Sequence, residues 1–415
     1  MSSTSSQVKW NPFSPEFHNN PYPTYHRLRE LEPTRRSEQF GGSWLLTRYA
    51  DVKQILRDRR VKVQNKSQRI QSKERFLKPD QTVDDLIQMT AKSLTYMNPP
   101  DHTRIKNLLG KGFLPQSMEK LRPQIQAIVN SLLMKAFENG EMDLISDLAV
   151  PLPVYVIASM LGVPEADRHL LHEWSIVLSR LLDSFISLEE YVRINTAVHH
   201  FRNYFFNLIK QRREHPQNDL ISAFIAAQEQ TDRLSETELW VACTLLFMTG
   251  EETTVNAIGN GVLALLNHPQ QFEWLRQNPQ LVPQALEELL RFDSPVQFTA
   301  RIADEEITIG SAKINPGEEI FLCIGAANRD PEQFSEPDTL NFNRSSNPHL
   351  AFSDGIHHCL GAALARIQGQ IAITTLLQLE NLSLSTRQPT WRKNVTLRGL
   401  TSLPLTFTPT NLSID

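Results

Sequence analysis

The residue types and spacing most suited to chemistry lie in Phe352 to Gly361, FSDGIHHCLG, just ahead of the helical text GAALARIQGQIAITTLL. A cysteine placed there meets the positive end of a helix dipole and backbone N–H groups without helical partners, and both favour the charged sulfur. Gly355 and Gly361 let the backbone turn tightly and approach a flat partner, and Phe352 could cover the sulfur with an apolar face. Cys359 in this setting has what a thiolate ligand to iron needs. Plainer readings compete with that one. A lone cysteine is most often a small buried hydrophobe, which is how Cys243 and Cys323 read in their apolar runs. His357 and His358 beside Cys359 would suit zinc, but no second Cys/His pair stands at finger or ribbon spacing.

A second constellation is TGEETT, Thr249 to Thr254, inside a long apolar segment. Gly250 costs about 1 kcal/mol in a helix interior and removes a side chain where a flat cofactor or a diatomic ligand could approach. An acid beside a hydroxyl in such a place suits proton relay. Thr253 can donate and accept, and Glu252 can draw protons from solvent. The alternative is that the threonines bond back to preceding carbonyls and bend the helix while the acids face water. Two further pairs lie at helical spacing: His102 with Lys106, and Glu288 with Arg291. Alone, each would be an ordinary solvated helix face.

These residues need a large, mostly helical frame. The chain has 415 residues, 40% hydrophobic and 21% charged, which supports a folded core and argues against disorder. With 42 Lys+Arg against 46 Asp+Glu, the net charge of −4 gives no global field for nucleic acid. Three cysteines do not make a disulfide framework and fit a reducing, cytoplasmic setting. The start has neither a signal-peptide pattern nor a membrane anchor, and the longest apolar runs fall short of the roughly 20 residues that span a bilayer. Helical patterns follow at 21–31, 49–56, 84–92, 101–112, 117–138, 150–161, 165–185, 188–213 and 219–228, with one long helix expected over 235–266. Residues 61–81, polar and poorly periodic, read as a long loop. Another short helix is expected over 283–291. The period then changes to two in ARIADEEITIGSAKINPGEEIFLCI, the main β signal, and alternates again in the tail. The expected organisation is a flexible segment over 1–20 and a single, mainly α domain with a small β region over 21–415.

The run F-x-x-G-x-H-x-C-x-G, here Phe352, Gly355, His357, Cys359 and Gly361, resembles the haem-binding loop of the cytochrome P-450 family. Other motifs occur in the family's order from about Asn20 to Pro404. Gly250, Glu252 and Thr253 match its A-G-x-E-T pattern, with Thr249 where alanine is usual and Glu251 where histidine is frequent. Ser353 stands where a second glycine is typical. The resemblance, strongest to the soluble bacterial branch, implies a triangular α-rich fold holding haem b, with Cys359 as axial ligand of the iron. It assigns the haem propionates to His102, Lys106, Arg301 and His357; Lys106 stands where arginine is usual, keeping the charge and losing the two-pronged contact. It also makes Glu288, Arg291 and Arg344 a buried network that locks the cysteine loop.

By the same resemblance the activity is monooxygenation: one atom of O2 enters a C–H or C=C bond while Glu252 and Thr253 deliver protons. The substrate pocket would draw on Leu181, Leu182, Phe185, Ile186, Phe247, Thr249, Val296 and Phe298, an apolar lining for a lipophilic small molecule. No Gly-rich dinucleotide loop opens a helix, so electrons are expected from a ferredoxin and its reductase. Arg57, Arg59, Arg60 and Arg366 could meet such an acidic partner, although charge runs are more often simply solvated. Alternatives from the sequence are a non-inserting member that desaturates or couples, a haem-binding sensor or carrier without turnover, and a haem-free helical scaffold.

Overall fold

Apolar text without proline makes the centre of the molecule. In the computed structural model, which describes residues 8, 10–183, 186–226, 233–385 and 389–409, the segment from Glu236 to Leu266 is helical and largely buried. Ser235 starts it with a capping box. Its hydroxyl accepts the Glu238 N–H at 3.2 Å, and the Glu238 carboxylate accepts the Ser235 N–H at 2.9 Å, so two donors without helical partners are satisfied.

The single helix expected over 235–266 is in fact two, Glu236–Gly250 and Glu252–Leu266, broken at Glu251. Threonines are the cause. The hydroxyls of Thr249, Thr253 and Thr254 donate to the carbonyls of Leu245, Thr249 and Gly250 at 2.9, 2.8 and 3.0 Å. The N–H groups of Thr254 and Val255 both turn to the Glu251 carbonyl, 3.0 Å away. Hydroxyls thus hold carbonyls that backbone N–H groups would otherwise take, and the axis bends there.

Around this pair pack the 27-residue helix Leu188–Glu214, the helix Arg168–Ser179, and Ala362–Leu376, which in turn lies on Arg122–Asn139. Phe201, Phe205 and Phe247 fill the join between Leu188–Glu214 and Glu236–Gly250, with the Phe247 ring 5.7 and 6.1 Å from the other two. To one side lies a five-stranded sheet in the order Thr34–Ser37, Ser43–Leu46, Glu319–Cys323, Phe298–Ala303, Val61–Lys62. Ser43–Leu46 and Glu319–Cys323 run parallel and the other pairings are antiparallel. Arg301 sits opposite Ile320 in this sheet. The fold is mainly α with a small β region.

One expectation needs correction. The segment 61–81 is not one long loop: it contains the strand Val61–Lys62, the helix Lys66–Gln71 and a turn of 3-10 helix at Glu74–Phe76. Asn65 starts that helix by accepting the Gln68 N–H at 3.1 Å. Nearer the start of the chain, Val8, Trp10 and Phe17 are buried with Tyr25, Phe40 and Phe298. Aromatic contacts hold them, Trp10 to Phe17 at 5.2 Å and Phe17 to Tyr25 at 5.7 Å. Among the described residues no helix is long and apolar enough to cross a membrane.

The capping box gives a direct test of how the central helix begins. Ser235→Ala removes one side of it and should lower the free energy of unfolding by about 1 kcal/mol in urea denaturation.

Candidate active site

The loop carrying Cys359 is shaped by two residues at positive φ, Ser353 at 62° and Gly355 at 68°. Ser353 donates its N–H to the Leu350 carbonyl at 2.8 Å, and the Cys359 N–H closes the loop on the Phe352 carbonyl at 3.0 Å. A Cβ at Gly355 would lie 2.4 Å from the Leu56 carbonyl oxygen, so only glycine fits. Ser353 accepts the left-handed conformation without glycine's freedom. Gly361 is a different case, since a Cβ there would meet nothing; the space beside it belongs to the cavity that Cys359 faces. The accessible surface of Cys359 opens into that internal cavity. Burial pushes its thiol pKa up, opposed by the Gly361 N–H and by the charges of Arg366 and Lys106.

Phe352 does not line this cavity. Its ring lies 4.3 Å beneath the Arg366 guanidinium, against the helix Val282–Phe292 and its neighbours. Arg366 in turn grips Glu287 with two hydrogen bonds, 2.7 and 2.8 Å, and His349 reaches the same carboxylate at 3.1 Å. Burial pushes the Glu287 carboxyl up, but the Arg366 and His349 hydrogen bonds overcome it and bring its pKa to about 2. Arg366 is therefore a brace of the loop. Sequence reading missed this ring, whose only signal was Glu287 standing next to Glu288.

Glu288, Arg291 and Arg344 do come together, fully buried at the first two. Arg291 donates to both Glu288 oxygens at 2.7 and 2.8 Å, and Arg344 Nε to both at 3.1 Å. Glu288 also accepts the Asn341 N–H at 2.9 Å and the Asn347 amide at 3.2 Å. The two guanidinium groups then bond the carbonyls of Asn328, Ser335, Pro337 and others. Every segment leading to the cysteine loop is tied to this carboxylate.

The cavity at Cys359 has a volume of about 310 Å³. Cys359, Leu360 and Gly361 line it from the loop, Gly250 and Thr253 from the helix break, and His102, Lys106, Arg301 and His357 supply its basic groups. Among the described residues none of these four has an acidic partner within ion-pair distance. The His102 and His357 rings meet tilted at 54° with centroids 4.2 Å apart, and His102 Nδ1 is buried without a hydrogen bond. Burial takes the pKa of His102 to about 4, of His357 to about 3 and of Arg301 to about 10, with neighbouring cations adding to the first two. Lys106 donates to the carbonyls of Ile356 and, at 2.9 Å, His358. It thereby ties its helix to the loop as well as facing the cavity. Apolar walls, a thiol, and uncompensated basic groups at one cavity fit haem b with its two propionates.

Gly250 has a second reason to be glycine: a Cβ would meet Ile157 Cδ1 at 2.7 Å. Thr249 and Thr253 line the cavity, while Glu251 and Glu252 point elsewhere. Glu252 lies 3.3 Å from Arg392 and meets the Ser179 hydroxyl; burial raises its pKa, partly offset by these partners. Glu251 accepts the Ser175 hydroxyl and lies 3.2 Å from His172.

A second cavity of about 290 Å³ adjoins the first and shares Thr249, Thr253, Val296 and Arg301 with it. Leu181, Leu182, Val296 and Phe298 line it. Phe247 lines neither cavity; it packs in the core between two helices, so its expected place in the substrate pocket is corrected. Ile186 also packs in the core, and Phe185 lies outside the described residues.

Breaking the buried network gives a specific outcome. Glu288→Ala leaves two arginines facing each other without their carboxylate and should cost about 3–5 kcal/mol of stability in thermal or denaturant unfolding.

The cytochrome P450 family pattern matches residues 166–409. A biotin biosynthesis cytochrome P450 of Bacillus subtilis (strain 168) is 40% identical over 397 residues, 95% of this chain and 98% of that protein. The vitamin D(3) 25-hydroxylase of Pseudonocardia autotrophica is 38% identical over 404 residues, 96% of each chain. The solved structure of P450BioI in complex with hexadec-9Z-enoic acid ligated acyl carrier protein superposes with a TM-score of 0.87 at 40% identity, covering 94% of this chain and 99% of that one. With the cysteine loop, its buried glutamate anchor and the broken central helix in place, the chain belongs to the cytochrome P450 family of haem-thiolate monooxygenases.

Proposed function

We propose that this protein inserts one oxygen atom of O2 into a lipophilic small molecule, by hydroxylation or epoxidation, with Cys359 as the cysteinate that holds haem b. The observation that carries this reading is the convergence on one cavity of Cys359, Thr253 and four basic side chains that have no acidic partner among the described residues. Haem, when bound, supplies the redox-active iron at which dioxygen is activated.

The remaining work falls to the chain's own residues. Arg301 and Lys106 supply cations, and the neutral His102 and His357 supply N–H donors, for two propionates, which in turn offset the two positive charges. The Gly361 N–H and the nearby cations favour the charged form of the Cys359 sulfur. Thr253 Oγ1 gives its proton to the Thr249 carbonyl, which leaves its lone pairs free to accept another proton or orient a water. Glu252, raised by burial, can hold a proton at its carboxyl oxygen and pass it inward from the partly exposed Arg392 side. Thr249 adds a hydroxyl where the two cavities meet, a place for a water or a polar substrate group.

Electrons are assigned to a ferredoxin and its reductase. Arg59 is exposed, and Arg57, 61% exposed, pairs with Asp354 of the cysteine loop at 2.9 Å. These cations lie next to the loop and suit an acidic partner.

The reduced, carbon monoxide-treated protein should show a strongly red-shifted Soret band that is absent in Cys359→Ser. A histidine-type spectrum in the wild type would overturn the assignment. In a system reconstituted with ferredoxin and reductase, Thr253→Ala should keep consuming NADPH while product per NADPH falls by about tenfold or more.

A further inference from the structure

The second cavity contains a cation that no oxygenation step uses. Lys66 lines it and is 7% exposed. The helix it begins is fixed by the Asn65 cap, so its backbone is not free to withdraw. Among the described residues the ammonium makes no hydrogen bond and no ion pair; its nearest named partner is the Tyr96 ring, 5.9 Å from Nζ.

Four charges face it. Arg69 and Lys73 repel it, Asp183 and Glu319 attract it. Asp183 is held by Arg180 at 2.7 Å, and Glu319 accepts the Ser43 hydroxyl at 3.3 Å, so neither carboxylate closes on Lys66. Burial brings the lysine to a pKa of about 8, which still leaves most of it charged at neutral pH. A buried ammonium is costly unless an anion meets it. The cofactor's propionates already have their own cations, and Lys66 does not line the cavity at Cys359.

We propose that Lys66 is an anion subsite in the substrate cavity, and that the substrate is an amphiphile whose carboxylate meets Lys66 Nζ while its lipophilic body runs along Leu181, Leu182 and Val296 toward Thr249. The proposal rests on the reading of this cavity as the substrate site of the oxygenase. One buried cation balances one charge, which favours a carboxylate over a doubly charged phosphate. Arg69 is exposed at the rim, bonded to Gln64 at 3.1 Å, and adds positive potential where an anion would enter.

The test is calorimetric titration of the haem-loaded protein with dodecanoate, dodecanol and dodecyl phosphate. The wild type should bind dodecanoate about tenfold or more tighter than dodecanol. Lys66→Met should abolish that preference while leaving dodecanol binding unchanged, and Lys66→Arg should keep most of it. No preference in the wild type, or equal weakening of both ligands in Lys66→Met, overturns the subsite. Tighter binding of dodecyl phosphate overturns the choice of carboxylate. Loss of haem from Lys66→Met would place the lysine on the cofactor and overturn it too. The carbon monoxide spectrum of the same samples reports separately on the haem-thiolate reading, because calorimetry measures the acid-over-alcohol preference without any turnover.

Discussion

Four basic side chains around one cavity, with no acidic partner among the described residues, set the condition that the rest of the structure obeys. Arg301 is buried in a sheet, His102 is buried on a helix, and Lys106 and His357 stand close by. Burial drives the pKa of all four downward. A protein that kept such a cluster for stability alone would have paired it, as it pairs Arg291 and Arg212. On the proposed reading, the charges of Arg301 and Lys106 and the N–H donors of the two histidines would be met by the cofactor's two propionates, and binding would then be coupled to the stability of the sheet strand Phe298–Ala303 and of the cysteine loop together.

The loop has to be rigid before the cofactor arrives, and two adjacent acids on one short helix provide this. Glu288 faces inward and collects Arg291, Arg344, Asn341 and Asn347. Glu287, one residue earlier and so about 100° around the helix, collects Arg366 and His349. The first acid fixes the chain that enters the loop, and the second fixes the helix that leaves it. Arg57 on Asp354 and Lys106 on two loop carbonyls add ties from other elements. Cys359 is thus positioned by charges that never touch the sulfur. The left-handed Ser353, held by a backbone bond to Leu350, is tolerated within that frame.

Much of this was legible in the sequence because it depends on local spacing. The loop glycines and the three-residue step from Glu288 to Arg291 are short-range patterns with physical reasons. Arg344 lies 56 residues from Glu288 and was reachable only through family resemblance. Phe247 was misplaced because the helix Glu236–Gly250 is apolar on every side, so no periodicity tells a cavity wall from core. Lys66 was hidden in polar text that reads as solvated; its burial is a property of the fold around it. The packing of Trp10 and Phe17 escaped notice for a similar reason, since they are isolated aromatics until Phe40 and Tyr25 meet them from elsewhere.

The helix break shows how one local conflict produces two separate functions. Three threonine hydroxyls compete with backbone N–H groups for the same carbonyls, and the bend at Glu251 sends neighbouring acids in different directions. Glu251 is anchored to Ser175 and His172 on the helix Arg168–Ser179, which secures the bend against the core. Glu252 turns to Arg392, near the chain's C-terminal strands, and toward partial solvent exposure. Neither carboxylate lines the cavity, whereas Thr253, the residue after Glu252, does. Keeping the acids outside holds negative charge away from the cavity at Cys359. The extra acid at Glu251, which in sequence confuses the proton route, is in the structure a strut that leaves Glu252 as the acid on the solvent-connected side.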